Sequence, residues 1–327
     1  MGRSASNTLL QKAKKSKSDE FYTLLPDIEN ELQYYNNHFQ DKVIYCNCDD
    51  PRISNFYRYF ALNFHKLGLK KLIAACYKER KRDLFDINND ENGFYYIYNG
   101  LDYENSIPSD TDLIPFVGDG DFRSTESIEL LKQADIVVTN PPFSIFREYV
   151  AQLIKYEKLF LIIGNINAIT YKEIFHLIKE NKVWLGVNLG RGISGFKVPD
   201  RYKLYGTEVR IDEFGNRFIS PNNCLWLTNM DNAKRNEELI LTKCYKGNES
   251  SYQYYDNYDG INVNKTQDIP KDYEGIIGVP ITFLHKFNPN QFEIIKFRKG
   301  NDDKDLSING KCPYFRILIR NKMVSNI

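Results

Sequence analysis

Four consecutive residues, Asn140-Pro141-Pro142-Phe143, have the right types to hold an amine. The Asn140 side-chain carbonyl is a hydrogen-bond acceptor. The Pro141 carbonyl is a second, stiffened because Pro142 locks its own φ and restricts the residue before it. Phe143 adds a face on which a flat ring can lie. A planar heterocycle with an exocyclic amine has two N–H groups to give, and this turn has two acceptors. A proline-rich turn at the end of a strand is the plainer reading, and the tetrapeptide alone does not decide between them.

The elements around the tetrapeptide narrow the choice. A run that reads as a buried strand, 134–139, delivers Asn140, and a helical pattern over 144–156 follows it. Upstream, a strand at 42–48 runs into Asp49-Asp50-Pro51, a helix is predicted over 55–67, and a second strand over 71–77. Residues 79–115 read as a polar insertion with a hairpin-like stretch at 93–98. Gly118-Asp119-Gly120-Asp121-Phe122 then precedes a helix over 124–133. Downstream the alternation continues, with strands at 159–163, 183–187 and 224–228, a helix over 170–180, and a glycine-containing loop over 190–221. Short apolar strands separated by helix-period segments predict an α/β fold with a doubly wound, mostly parallel sheet. In such sheets ligands sit at the carboxyl ends of the strands, where Asp50, Asp121 and Asn140 all fall.

Length and charge set further bounds. A chain of 327 residues suits one large domain plus a smaller one. The division expected is a basic arm over 1–17, a main domain over 18–229 and a second module over 230–327. With 44 Lys+Arg against 43 Asp+Glu the protein is no polycation, so a nucleic-acid surface must come from local segregation of charge. The arm holds Lys14, Lys15 and Lys17 and no acidic residue; it reads either as a solvated end or as a segment lying along a phosphate backbone. The six cysteines are scattered and match no zinc spacing, so no metal is expected. No stretch approaches membrane-spanning length and none resembles a signal peptide, which predicts a soluble, cytoplasmic protein with no membrane partner.

Neither G-x-x-x-x-G-K-[ST] nor G-x-G-x-x-G occurs, which disfavours ATP and dinucleotides and favours a cofactor without phosphates. Asp/Asn-Pro-Pro-aromatic after the fourth strand resembles the catalytic motif of amino-methyltransferases acting on adenine N6 or cytosine N4 of DNA, and Asn in first place resembles the adenine type. Asp19-Glu20-Phe21-Tyr22-Thr23, Asp50-Pro51 and Asp121-Phe122 resemble the companion cofactor motifs in the expected order. Longer stretches, 14–23, 45–52, 118–124 and 278–287, resemble the EcoRI methylase family over nearly the whole length.

That resemblance implies a Rossmann-like methyltransferase sheet with a C-terminal target-recognition module, S-adenosylmethionine as cofactor, and duplex DNA as partner. It implies N6 methylation of the inner adenine of GAATTC after base flipping. Phe21, Tyr22, Thr23, Asn47, Asp49, Asp50, Asp121, Phe122 and Asn140 would hold the cofactor. Asn140, Pro141, Pro142 and Phe143 would form the catalytic turn. The family's cofactor loop carries G-x-G where this chain has Ser54, Asn55 and Phe56, and the acid for the cofactor ribose is open between Glu79 and Asp49. A second stacking aromatic is expected from the loop before the last sheet strand; Phe196 is the residue chosen, with plain packing as its alternative. Lys14, Lys15, Lys17, Arg191, Lys197, Arg201, Lys299, Arg316 and Arg320 are the candidate DNA contacts, although most surface cations are merely solvated. No zipper or swap element is visible, so a monomer without an obligate protein partner is expected. Two rival readings stand beside this one: an RNA or protein amino-methyltransferase using the same turn, and a non-catalytic DNA-binding protein on a methyltransferase fold.

Overall fold

The computed structural model describes residues 22–78, 92–100, 106–189, 193–198, 209–219, 223–298, 306–311 and 315–324. The chain divides into two compact units, Met1–Ala168 with Asn188–Met230, and Ile169–Val187 with Asp231–Ile327. The sequence division at 229/230 keeps residues 169–187 with the main domain; compactness groups them with the C-terminal residues instead.

The first unit is organised on a sheet whose middle is parallel. β2 (Val43–Cys46), β3 (Lys71–Cys76), β6 (Ile136–Thr139) and β7 (Leu159–Asn165) lie in the order β3-β2-β6-β7, every neighbouring pair parallel. Their side chains are almost all buried, as expected where both faces of a parallel sheet are covered. Helices α2 (Asn55–Leu62), α3 (Thr125–Gln133) and α4 (Phe146–Lys155) supply the crossovers. Gly164 on β7 lets α4 approach closely, since a Cβ there would stand 2.6 Å from the Phe146 ring.

The flanks are antiparallel, so the sheet is mixed rather than mostly parallel. β4 (Phe94–Tyr98) pairs antiparallel with β3, and β5 (Ile114–Pro115) antiparallel with β4. On the other side β12 (Cys224–Thr228) runs antiparallel to β7. Within the first unit the order is β5-β4-β3-β2-β6-β7-β12, and β8 (Trp184–Leu189) is the strand in which the chain passes back into this unit. The segment read as a hairpin at 93–98 is a single strand of this sheet. Its partner is β3, and the two run antiparallel.

A second, four-stranded sheet of the first unit has the order β1-β9-β11-β10, from β1 (Tyr22–Thr23), β9 (Phe196–Val198), β10 (Val209–Ile211) and β11 (Arg217–Ile219), all antiparallel. Helix α1 (Leu25–Leu32) fixes the return segment before β9. Its buried Asp27 accepts from the Ser194 amide and hydroxyl at 2.8 and 3.0 Å, and Glu31 accepts from the Asn188 amide at 2.8 Å.

The second unit carries α5 (Lys172–Lys179) and a five-stranded sheet ordered β13-β14-β15-β17-β16, from β13 (Gln253–Tyr255), β14 (Tyr258–Asn262), β15 (Ile277–Pro280), β16 (Phe292–Arg298) and β17 (Arg316–Asn321). The Phe175 ring of α5 lies 5.1 Å from that of Phe297 on β16. Among the described residues no helix is long and apolar enough to cross a membrane, and no cluster of His, Cys, Asp or Glu is arranged to hold a metal ion.

Candidate active site at the ends of β2 and β6

Strand order reverses between β2 and β6. From β2 the chain crosses to β3 on one side; it returns through β6 and β7 on the other. A crevice opens outside the carboxyl ends of two strands at such a point. Asn47, Asp49 and Asp50 follow β2, and Asn140 follows β6. Pro141 and Pro142 have no amide hydrogen to continue the ladder, so β6 ends at Thr139 and the chain turns through a short 3-10 segment, Phe143–Ile145, into α4. Phe143 is half-buried and packs on the edge of the main core; Pro141 is buried and Asn140 half-buried.

Asp49 is the hub of the crevice. It is 8% exposed, and its carboxylate accepts from the Thr139 hydroxyl at 2.5 Å and the Ser54 hydroxyl at 2.5 Å. Burial pushes its carboxyl up to about 6, against the lowering effect of these two donors. Ser54 also accepts from the Phe56 and Tyr57 amides at 3.1 and 3.3 Å, making it the N-cap of α2. The residue that replaces a loop glycine is therefore a cap and a carboxylate donor at once. Asn55, next to it, donates its side-chain amide to the Thr23 carbonyl at 2.8 Å and ties β1 to this turn.

Asp50 and Asp121 share one local design. Asp50 is gripped by Arg52 through Nε at 2.9 Å and Nη2 at 2.6 Å, and Asp121 by Arg123 through Nε at 2.9 Å and Nη2 at 2.8 Å. In each case the carboxylate also accepts the arginine's own amide, which closes a two-residue turn. The Arg123 guanidinium holds the Asp121 carboxyl below the ordinary carboxylate range. Gly120 stands at φ +79° with its Cβ position 3.0 Å from the Cys76 carbonyl, so the turn that presents Asp121 needs glycine there.

Helix α4 braces the turn after β2 and the turn before α3. Tyr149 donates its hydroxyl to the Asn47 side-chain carbonyl, and Gln152 donates to the Phe122 carbonyl at 3.0 Å. The Phe122 ring is buried 5.3 Å from that of Tyr149. A cavity of about 450 Å3 lies between Tyr22, Lys197, the 51–55 turn and Arg58, and Arg52 also lines it. Its three cationic side chains suit an anionic group.

The structure thus gathers Asn47, Asp49, Asp50, Asp121, Phe122 and the Asn140–Phe143 turn around one switch point, with Tyr22 and Thr23 joined through Asn55. Asp49 faces Thr139 and Ser54, so the carboxylate weighed for a ribose is committed to two protein hydroxyls. Phe196 is 0% exposed within the core, a setting that favours the packing alternative over the stacking one. Period two in the strand Phe196-Lys197-Val198 is the signal that separates a buried Phe196 from an exposed Lys197. Arg316 is half-buried and donates to the Asn262 and Asn264 side-chain carbonyls at 2.9 and 2.8 Å, so its guanidinium is committed within the second unit. Arg320 is exposed, 3.4 Å from Glu293. Lys14, Lys15, Lys17, Phe21, Glu79, Arg191, Arg201 and Lys299 lie outside the described residues. Ser54, Thr139 and Tyr149 carry the site's internal hydrogen bonds and stand out in no motif; only the N-cap position of Ser54 before an apolar helix is legible beforehand.

Comparison with known proteins places this arrangement. A family model described as adenine-specific methyltransferase EcoRI matches residues 9–322. The Type II methyltransferase M.EcoRI of Escherichia coli is 70% identical over 322 residues, covering 98% of this chain and 99% of the relative. The Type II methyltransferase M.MpnI of Mycoplasma pneumoniae is 40% identical over 329 residues, covering 95% and 97%. M.MgeORF184P of Mycoplasma genitalium is 38% identical over 336 residues, covering 96% and 98%. No solved structure matches. With similarity of this extent, and an Asn-Pro-Pro-Phe turn at the switch point, the chain belongs to the adenine-specific methyltransferase EcoRI family.

Proposed function

We propose that the protein is a site-specific DNA methyltransferase that transfers a methyl group from S-adenosylmethionine to adenine N6 in duplex DNA. Its target is the inner adenine of GAATTC, and its role is to protect such sites within a restriction–modification system. The observation that carries the reading is the position of Asn140: it leaves β6 at the switch point, directly after the Thr139 hydroxyl that binds Asp49. In this reading the parallel strands β3-β2-β6-β7 are the centre of a Rossmann-like methyltransferase sheet. Residues 230–327 are the target-recognition module, and the 1–17 arm follows the phosphate backbone.

The residues present fit the cofactor. Thr23 Oγ1 is buried with no hydrogen-bond partner among the described residues, and it sits beside the Asn55 bridge where the methionine end would be held. Asp50 and Asp121 keep acceptor capacity beyond their arginines, and Phe122 provides an apolar wall for the adenine end. When bound, S-adenosylmethionine supplies a methyl group already activated on a sulfonium, so the protein contributes positioning and electrostatics.

The target amine lies inside a duplex, so the nucleotide must first be extruded, at a cost of a few kcal/mol. Phe143 stacks on the extruded ring and offsets part of that cost, about 1–3 kcal/mol for one base on one aromatic. The Asn140 and Pro141 carbonyls accept the two N6 hydrogens, draw the nitrogen toward tetrahedral geometry and aim its lone pair at the methyl. No cysteine nucleophile is required. A monomer suffices, because each strand of a symmetric site can be methylated in a separate visit.

Cleavage protection tests the reading. Plasmid from an expressing strain is expected to resist cutting at GAATTC and to remain sensitive at unrelated sites. Tritium from labelled cofactor is expected to enter duplex DNA and neither rRNA nor protein. Label in RNA or protein alone would support the rival amino-methyltransferase reading.

A further inference from the structure

With Phe196 buried in the core, the first unit still presents one aromatic ring to solvent in a built setting. Phe214 is 82% exposed at the apex of the β10–β11 hairpin. The apex is rigid for its size. One Asp212 carboxylate oxygen accepts from the Phe214 and Asn216 amides at 3.0 and 2.8 Å, and the other from the Asn216 side chain at 2.8 Å. Backbone bonds Gly215 N to Asp212 O and Asp212 N to Asn216 O, each 3.0 Å, close the turn. Gly215 is at φ +82° with nothing within 4 Å of its Cβ position, so the tip stands in open space.

The sheet behind the tip carries the complementary charge. Tyr22, Lys197, Phe218 and Arg210 are directly opposite one another across its four strands, and therefore share a face. The neighbouring row, Thr23, Phe196, Ile219 and Val209, turns into the core. The outer row alternates aromatic and cationic residues, with the Arg210 guanidinium 4.9 Å over the Phe218 ring. An exposed Lys197 and Arg210 in line suit a phosphate backbone. An apolar ring held rigidly beyond them has the form of a wedge inserted between bases.

We propose that Phe214 enters the duplex and occupies the gap left in the base stack when the target adenine is extruded, stacking on the neighbouring bases, while Lys197 and Arg210 hold the flanking phosphates. This rests on the DNA-adenine reading above. Phe143 then receives the extruded base and Phe214 holds its vacated place.

The test uses the full-length enzyme and a GAATTC duplex with 2-aminopurine in place of the target adenine; this base brightens when it leaves the stack. Wild type is expected to brighten the probe. Phe214→Ala is expected to brighten it severalfold less and to bind the duplex about tenfold more weakly, the size of one lost aromatic–base stack. Its cofactor affinity by calorimetry should be unchanged, and Phe214→Trp should retain both signals. On a duplex with the target base mispaired, where extrusion is already cheaper, the deficit of Phe214→Ala should shrink to within about twofold. Equal brightening and equal affinity in wild type and Phe214→Ala, or a deficit that persists undiminished on the mispaired duplex, would overturn the wedge alone. Failure of wild type itself to bind or brighten the duplex would overturn the DNA-adenine reading, and the wedge with it.

Discussion

The Thr139 hydroxyl donates to the Asp49 carboxylate at 2.5 Å, joining residues 90 apart in sequence. One of them immediately precedes Asn140; the other begins the turn after β2. Ser54 completes the arrangement from the start of α2. A hydrogen bond to a charged acceptor contributes about 1.5–3 kcal/mol, so one buried carboxylate couples the end of β6 to the start of α2.

That carboxylate gives stability a pH dependence. Burial raises the Asp49 carboxyl to about 6 from an ordinary 3.8, so between those values the native state binds a proton that the unfolded state releases. Its contribution is fully present below 3.8 and is lost as pH rises through 6. Asp49→Asn removes the titration. Relative to that variant, wild type should gain about 1 kcal/mol of unfolding free energy on going from pH 7 to pH 5. Urea unfolding of both proteins at the two pH values measures it, and parallel behaviour would show that Asp49 does not titrate in this window.

Ser54 stands where the family pattern has glycine, and its hydroxyl serves both the α2 amides and Asp49. Ser54→Ala should destabilise by about 1–2 kcal/mol through the lost cap and the lost donor. Because the donor positions the cofactor turn rather than the amine, KM for S-adenosylmethionine should rise severalfold with kcat nearly kept. Ser54→Thr should restore both. A variant with unchanged KM would confine Ser54 to capping.

Much of the framework was legible because strands buried on both faces read as apolar runs: β2, β3, β6, β7 and β12 all lie within or largely overlap the predicted stretches. Helix α1 is continued by a 3-10 segment, Gln33–His38. Strand direction was less legible, since apolar periodicity is blind to it, and nothing in composition marks the flanks β4, β5 and β12 as antiparallel. Asn47, Asp49 and Asp50 follow β2, and Asn140 follows β6. The two roles weighed for Phe196 look alike in the sequence of a loop, and pairing with Thr23 and Ile219 shows which face of its strand is inward. Phe214, in the same 190–221 loop, has the exposure that Phe196 lacks.

Asn140→Ala tests the catalytic turn directly. Removing one of two acceptors should leave cofactor and duplex affinity within about twofold while single-turnover methylation falls by roughly 100-fold or more, the scale of a lost transition-state hydrogen-bonding group. Phe143→Ala should behave differently, weakening duplex binding by the value of a lost stack. Near-wild-type methylation by Asn140→Ala would remove the residue from the mechanism.

The outer row of the four-stranded sheet makes a separate prediction about salt. Lys197 and Arg210 are exposed on one face, with Phe218 between them and Tyr22 on the other side of Lys197 in register. If each neutralises a phosphate, binding releases its counterion, and each contributes about 0.9 to the slope of log affinity against log salt concentration. Lys197→Ala and Arg210→Ala should each lower that slope by about 1 and weaken binding to GAATTC and to unrelated duplexes by the same factor, because phosphate contacts carry no sequence information. Arg316→Ala should leave the slope unchanged, since its guanidinium is held by Asn262 and Asn264, and should instead lower stability. Measuring affinity at several salt concentrations for the three variants separates the cases. A slope that moves with Arg316 but not with Lys197 or Arg210 would shift the phosphate surface from this sheet to the second unit.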